Sequence, residues 1–278
     1  MSMLPTDLEI SVERALAEDI GSGDLSAALI APKLELHAHI LSREPGILCG
    51  RPYADAVFRQ CSPEIRCHWL VAEGTEFAAD TVLCTLEGPA GPLLTAERTA
   101  LNFLQLLSGT ASRVRQHVQL LQGLPARLLD TRKTLPGLRL AQKYAVRIGG
   151  GHNHRLGLFD GILIKENHIA AMGGIGPALR AARALVPVLT RIEIEVENLE
   201  QLEEALAHRP DMILLDNFAL ADLRRAVERV GGRIPLEASG NLGLNNLREV
   251  AATGVDYLSV GSLTRDVQSL DLSLRYDG

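Results

Sequence analysis

The chain has 278 residues, 46% of them hydrophobic and 22% charged, and a formal net charge of −6. That is enough apolar material for a real core in one large domain or two modest ones, and the acidic balance argues against a surface built for nucleic acid. No run approaches the ~20 apolar residues of a membrane span, and the N-terminal MSMLPTDLEISVERALAEDI lacks the apolar stretch of a secretory leader, so a cytoplasmic protein is expected.

Along the chain, apolar spacing predicts a helix from Leu8 to Asp19, followed by short alternating segments over Leu34–Ser42, Ile65–Ala72 and Thr81–Glu87. The phrase WLVAEGTEFAADTVLCTLEG reads as strand, turn, strand. It resembles the hammerhead of lipoyl-type domains but has no exposed turn lysine to carry a cofactor, so a small structural α+β domain is expected. Cys49, Cys61, Cys67 and Cys84 all fall in this part without C-x-x-C spacing. They are read as reduced structural thiols rather than a zinc site. Pro92 to Gln122 is amphipathic and predicts two helices broken near Ser108-Gly109.

From Pro125 onward the runs ARLLD, GILI, IEIEV, MILLD, PLEAS and YLSVG alternate with helical patterns such as NLEQLEEALAHR and ALADLRRAVERVGG. Near-continuous apolar strands alternating with helices predict parallel βαβ units whose sheet is buried on both faces. Each run ends in chemically capable residues: Asp130-Thr131-Arg132-Lys133, Lys165-Glu166, Glu195 with Glu197, Asp216-Asn217, Ser239-Gly240 and Gly261-Ser262. A parallel barrel gathers its C-terminal strand ends at one mouth, whereas an open sheet gathers fewer, around its switch point. The barrel is therefore the expected form.

The densest chemistry lies between Asp130 and Ile169. Arg132, Lys133, Arg139, Lys143, Arg147, Arg155 and Lys165 stand there against only Asp130, Asp160 and Glu166, a balance of +4 (seven minus three). Arg132 and Lys133 directly follow a buried strand, a position suited to gripping a carboxylate or phosphate. Gly149-Gly150-Gly151 precede His154-Arg155 and read as a loop that lets backbone amides approach an anion. Lys165 ends a buried strand and is either an anion clamp or a Schiff-base nucleophile; the neighbouring arginines favour the clamp. Glu193, Glu195 and Glu197 alternate with apolar residues and so should face one way. Glu195 with Asp216 on the next strand is a pair suited to Mg2+ shared with phosphate oxygens. Ser239, Gly240 and Gly261 read as a late-strand phosphate site. Arg98, in AERTALN, reads as a surface arginine.

The strings EDIGSGDLS, AERTALNFLQLLSG, DTRKTLPGLRLAQKYAVRIGGG, NHRLGL, LIKENHI, EIEVEN, ILLDNF, EASG and GVDYLSVGSLT resemble the quinolinate phosphoribosyltransferases from about Glu18 to the C-terminus. The resemblance implies an N-terminal α+β sandwich domain with its linking helix over residues 1–110. It also implies a type II phosphoribosyltransferase-like α/β barrel over 111–278, whose last residues return to the first domain. The implied reaction transfers phosphoribosyl from phosphoribosyl pyrophosphate to quinolinate with decarboxylation, without an organic cofactor. Arg132, Arg155 and Lys165 would hold the quinolinate carboxylates with His154 beside them, and Lys133 would face both ligands. Glu195 and Asp216 would bind magnesium and ribose, while Ser239, Gly240 and Gly261 would cradle the 5-phosphate. Arg98 would reach the site of the partner in a homodimer, or a higher assembly of it. Glu166 stands where many members have Asp, and Asn241 where many have a second Gly. The alternatives are a pyrophosphorylase-like relative associated with molybdate transport, a Schiff-base lyase using Lys165, and a non-catalytic phosphate-ligand binding protein.

Overall fold

The computed structural model describes residues 4–31 and 33–276. Its strands in chain order are β1 (Glu35–Ser42), β2 (Gly46–Ile47), β3 (Arg66–Trp69), β4 (Glu76–Phe77), β5 (Thr81–Pro89), β6 (Arg127–Leu129), β7 (Ile162–Ile164), β8 (Ile192–Val196), β9 (Met212–Asp216), β10 (Leu236–Ser239), β11 (Tyr257–Ser259) and β12 (Leu272–Tyr276). The chain forms two compact units. One comprises Met1–Arg115, Thr134–Gly150 and Leu263–Gly278; the other comprises Gln116–Lys133 and Gly151–Ser262. The division expected at residue 110 follows the sequence, whereas packing also gathers the Thr134–Gly150 helical segment and the C-terminal strand into the first unit.

In the first unit, β12, β1, β5 and β3 form an antiparallel sheet in that order. Ile40 pairs with Cys84 on one side and Leu274 on the other, so alternate side chains point into a shared core. Helix Leu8–Ile20 contributes Leu8, Val12 and Leu16, spaced at helical period, and helix Arg51–Cys61 contributes Tyr53 and Phe58. Helix Ala90–Leu120 is continuous, with no break at Ser108-Gly109. The Ser108 hydroxyl accepts from the Cys49 amide and donates to the Cys49 carbonyl, both at 3.0 Å. Gly109 lets the helix touch the returning chain, because a Cβ there would collide with the Gln268 carbonyl. Close packing, rather than a turn, explains the small residues.

In the second unit, all six expected apolar runs are strands, in the order β6-β11-β10-β9-β8-β7, and every pairing is parallel. Helices such as Leu199–Ala207 and Leu220–Val230 follow their strands and bury Leu202, Ala205, Leu223 and Ala226. β8 is buried along its whole length, as expected for a sheet covered on both faces. The sheet curls as an α/β-barrel wall, and Glu193 on β8 and Glu237 on β10, on either side of β9, both lie near the same His154 nitrogen, at 2.9 and 3.5 Å. The curl is that of an incomplete barrel: among the described residues β6 and β7 do not pair with each other, and the edge of β6 is extended by a single bridge between Leu129 and His152.

Helix propensity alone would make Gly109→Ala stabilising by about 1 kcal/mol. The Gln268 contact reverses the sign, and urea unfolding should instead show a loss of about 1–3 kcal/mol, the range for overpacking.

Candidate active site

Parallel strands present their C-terminal ends on one rim, and that rim carries the chemistry. Arg132 and Lys133 follow β6, Lys165 follows β7, Glu195 lies near the end of β8, and Asp216 ends β9. Ser239 ends β10, and Gly261 follows β11 by two residues. The β6–β11 pairing carries Lys133 over Gly261, where a Cβ would come within 2.9 Å of the lysine Cδ. Gly240, at φ +105°, lies so close to Asn217 that a Cβ would collide with its amide. Asn217 itself is left-handed at φ +54°; its N–H donates to the Ser239 carbonyl at 2.9 Å and its Nδ2 to Asp216 Oδ2 at 2.7 Å. Asn241, where a second glycine was the alternative, adopts φ +50°, a region that Asn tolerates. The turn after β10 is thus folded against the turn after β9.

Two groups of charge meet inside the curl. Lys165 Nζ hydrogen-bonds Glu195 Oε2, and the glutamate side chain is only 8% exposed. Burial raises the Glu195 carboxyl above its ordinary pKa; Lys165 opposes that rise and the Asp216 carboxylate adds to it. Glu195 with the Asp216 carboxylate beside it is a donor set that suits a divalent cation. Burial, and next the Arg132 guanidinium, lower the Arg155 pKa, and an anion bound near both cations would offset that repulsion.

Deeper in the sheet, His154 Nε2 lies 2.9 Å from Glu193 Oε2 and 3.5 Å from Glu237 Oε2, with the glutamate side chains 7% and 1% exposed. Glu193 Oε1 has no hydrogen-bond partner. Burial, reinforced by the Glu193 charge, pushes the Glu237 carboxyl up to about 8. The turn before Arg155 is pinned by the fully buried Asp130, whose Oδ1 accepts from the His154 N–H at 2.8 Å and Oδ2 from Asn153 Nδ2 at 2.7 Å.

Comparison with known proteins decides the family. Residues 24–108 match the model for the N-terminal domain of quinolinate phosphoribosyl transferase, and residues 110–275 match that for its C-terminal domain. The chain belongs to the quinolinate phosphoribosyltransferase family. It is 45% identical over 273 residues to the nicotinate-nucleotide pyrophosphorylase [carboxylating] of Mycobacterium leprae, covering 95% of each chain. It is 41% identical over 280 residues to a probable enzyme of the same name from Synechocystis, covering 99% of this chain and 95% of that one. The solved nicotinate-nucleotide pyrophosphorylase of Francisella tularensis superposes with a TM-score of 0.95 at 44% identity, over 99% of this chain and 98% of that one.

Within this quinolinate phosphoribosyltransferase fold, ten of the eleven residues singled out from sequence belong to the second unit; the eleventh, Arg98, lies exposed on helix Ala90–Leu120 in the first. Gly149 and Gly150 do not form the anion loop expected of the glycine triplet. A Cβ at Gly149 would come within 2.6 Å of both the Ala111 carbonyl and Val114, and Arg115 Nε donates to the Gly149 carbonyl at 3.0 Å. Gly149 lets helix Arg139–Ile148 end against its neighbour, and Gly150, at φ +97°, donates its N–H to the Arg147 carbonyl at 3.0 Å. Glu193 and Glu195 point inward as expected, but Glu197 falls past the end of β8 and is exposed. Sequence reasoning passed over Asp130 and Asn217 as partners and missed Glu237. Its signal was an acid in the middle of the apolar run PLEAS.

A carboxyl whose pKa is raised by folding stabilises the fold most below its ordinary pKa, and that contribution is lost as pH rises through the folded value. For Glu237 the window runs from about 4.5 to about 8. Melting curves of the wild type should decline across that window, and Glu237→Gln should flatten the decline; an unchanged slope would contradict the buried, protonated carboxyl.

Proposed function

We propose that this quinolinate phosphoribosyltransferase transfers phosphoribosyl from phosphoribosyl pyrophosphate to quinolinate, with loss of CO2, to give nicotinate mononucleotide and pyrophosphate, a step of de novo NAD biosynthesis. The observation that carries this reading is the rim itself. Arg132 and Lys165 follow C-terminal strand ends of the same parallel sheet as the acids Glu195 and Asp216 and the small-residue turns at Ser239-Gly240 and Gly261, and Arg155 feels the charge of Arg132; such a set of cations suits a dicarboxylate. Neither the molybdate-associated relative nor a phosphate sensor accounts for both the cation group and the family match.

In this reading Arg132, Arg155 and Lys165 bind the two quinolinate carboxylates, with His154 beside them, and present the pyridine nitrogen to the anomeric carbon. The nitrogen lone pair forms the new N–C bond as the C–O bond to pyrophosphate breaks, through an oxocarbenium-like transition state. Lys133, facing both ligands, offsets charge on the departing pyrophosphate. The ring nitrogen is then cationic. The C–C bond to the 2-carboxylate breaks, CO2 leaves, and the electron pair stays on the ring carbon, stabilised by that nitrogen until a proton replaces it. Ser239, Gly240 and Gly261 hold the 5-phosphate. Glu195 and Asp216 are the residues to hold Mg2+, which when bound supplies charge neutralisation at the pyrophosphate. The chain's own contribution is positioning and desolvation.

The exposed Arg98 guanidinium supports a homodimer in which each subunit lends this arginine to its partner's site. Its neighbour Glu97 is already engaged by the Tyr276 hydroxyl at 2.7 Å. The four free cysteines fit a reducing, cytoplasmic setting.

Purified protein with quinolinate, phosphoribosyl pyrophosphate and Mg2+ should release nicotinate mononucleotide and CO2 in equal amounts, and chelation should abolish both. Lys165→Ala should lower kcat/KM by roughly 100-fold or more, the effect of removing a charged group that meets the reacting ligand. Near-normal turnover would remove Lys165 from the site.

A further inference from the structure

His154 is placed by three contacts that together decide its chemical state. The backbone N–H of Arg155 donates to His154 Nδ1 at 2.7 Å, so Nδ1 presents a lone pair and has no room for a proton. Nε2 lies 2.9 Å from the buried Glu193 carboxyl and 3.5 Å from Glu237; with Nδ1 accepting, Nε2 is the nitrogen left to carry the single hydrogen of the neutral ring, and Glu193 Oε2 accepts it. An imidazolium is excluded because Nδ1 faces a donor. The ligating atoms of His154, Glu193 and Glu237 lie within 4.8 Å of one another, but a metal on Nε2 would force the proton onto Nδ1, against the Arg155 N–H. Both ring nitrogens are therefore engaged inside the protein. Beyond this point the chain turns, and the Arg155 guanidinium donates to the Gly161 carbonyl at 3.1 Å.

We infer that Glu193 and Glu237 are positioning residues for the transfer reaction: they hold His154 as its neutral Nε2–H tautomer, whose Nδ1 fixes the Arg155 backbone and so aims the Arg155 guanidinium. Glu193 is the principal acceptor, and Glu237 closes the far side of the ring edge. The family resemblance puts His154 beside the quinolinate carboxylates as a ligand; here it acts through Arg155. The inference rests on the reading of Arg155 as a quinolinate-binding cation.

The test begins on the unaltered protein. In 15N-histidine-labelled full-length protein, long-range 1H–15N spectra should show an unprotonated Nδ1 and a protonated Nε2 for His154, identified by its absence in His154→Gln. Two protonated nitrogens, the opposite tautomer, or a spectrum that shifts on adding Zn2+ would overturn the assignment. This measurement requires no turnover, so it stands apart from the proposed reaction, which fails only if the wild type makes no product. In kinetics, Glu193→Leu removes the acceptor while Glu193→Gln keeps one in its amide oxygen. Glu193→Leu and His154→Gln should raise the KM for quinolinate roughly tenfold or more, the effect of one lost buried partner. The KM for phosphoribosyl pyrophosphate should stay unchanged, and Glu193→Gln should stay near wild type. An equal loss toward both substrates, or no rescue by Glu193→Gln, would reduce the glutamates to structural residues and end the proposal.

Discussion

Carboxylates buried inside a sheet must be neutralised or paired, because an isolated charge in an apolar interior costs more than the fold can supply. This protein buries three of them, Glu193, Glu195 and Glu237, in the interior of its curled parallel sheet. The curl brings partners within reach: Lys165 for Glu195 and His154 for Glu193, with Glu237 Oε2 3.5 Å from the same ring nitrogen. The same curl turns a row of strand ends into a rim. Structure and chemistry thus share one cause, since the residues that satisfy the buried acids sit among the cations that face the ligand.

The rim resolves an apparent mismatch in composition. A chain of net charge −6 binds, in the reading proposed above, two highly anionic substrates. It does so by local arrangement. Arg132 and Arg155 are held close enough for one to depress the other's pKa, and a pair held together against repulsion by the backbone gains when a dianion enters. A negative surface elsewhere costs little, because exposed charges beyond about 8–10 Å are screened by salt.

Much of this was legible in the sequence, for stated reasons. The six parallel strands show as apolar runs because both faces of the sheet are buried, and their functional residues show as the polar residue that stops each run. Arg132, Lys165, Asp216 and Gly261 were found that way. What was not legible depends on contacts distant in sequence. Gly109 reads as a helix breaker until Gln268 is packed against it, and Gly149 reads as part of a ligand loop until Ala111 and Val114 are seen to need the space. Glu237 stands 44 residues beyond Glu193 (237 minus 193). Only the register of β8, β9 and β10, with Glu195 opposite Leu214 and Leu214 opposite Glu237, puts these acids on one inner face.

The central claim is that the strand-end cations hold a dicarboxylate beside the acid pair. The most direct measurement is a crystal structure of the protein with quinolinate bound. The account requires one carboxylate within hydrogen-bonding reach of Arg132 or Arg155 and the other near Lys165, with the pyridine nitrogen open toward Glu195 and Asp216. Quinolinate bound away from these three cations, or bound with its nitrogen turned from the acid pair, would contradict it.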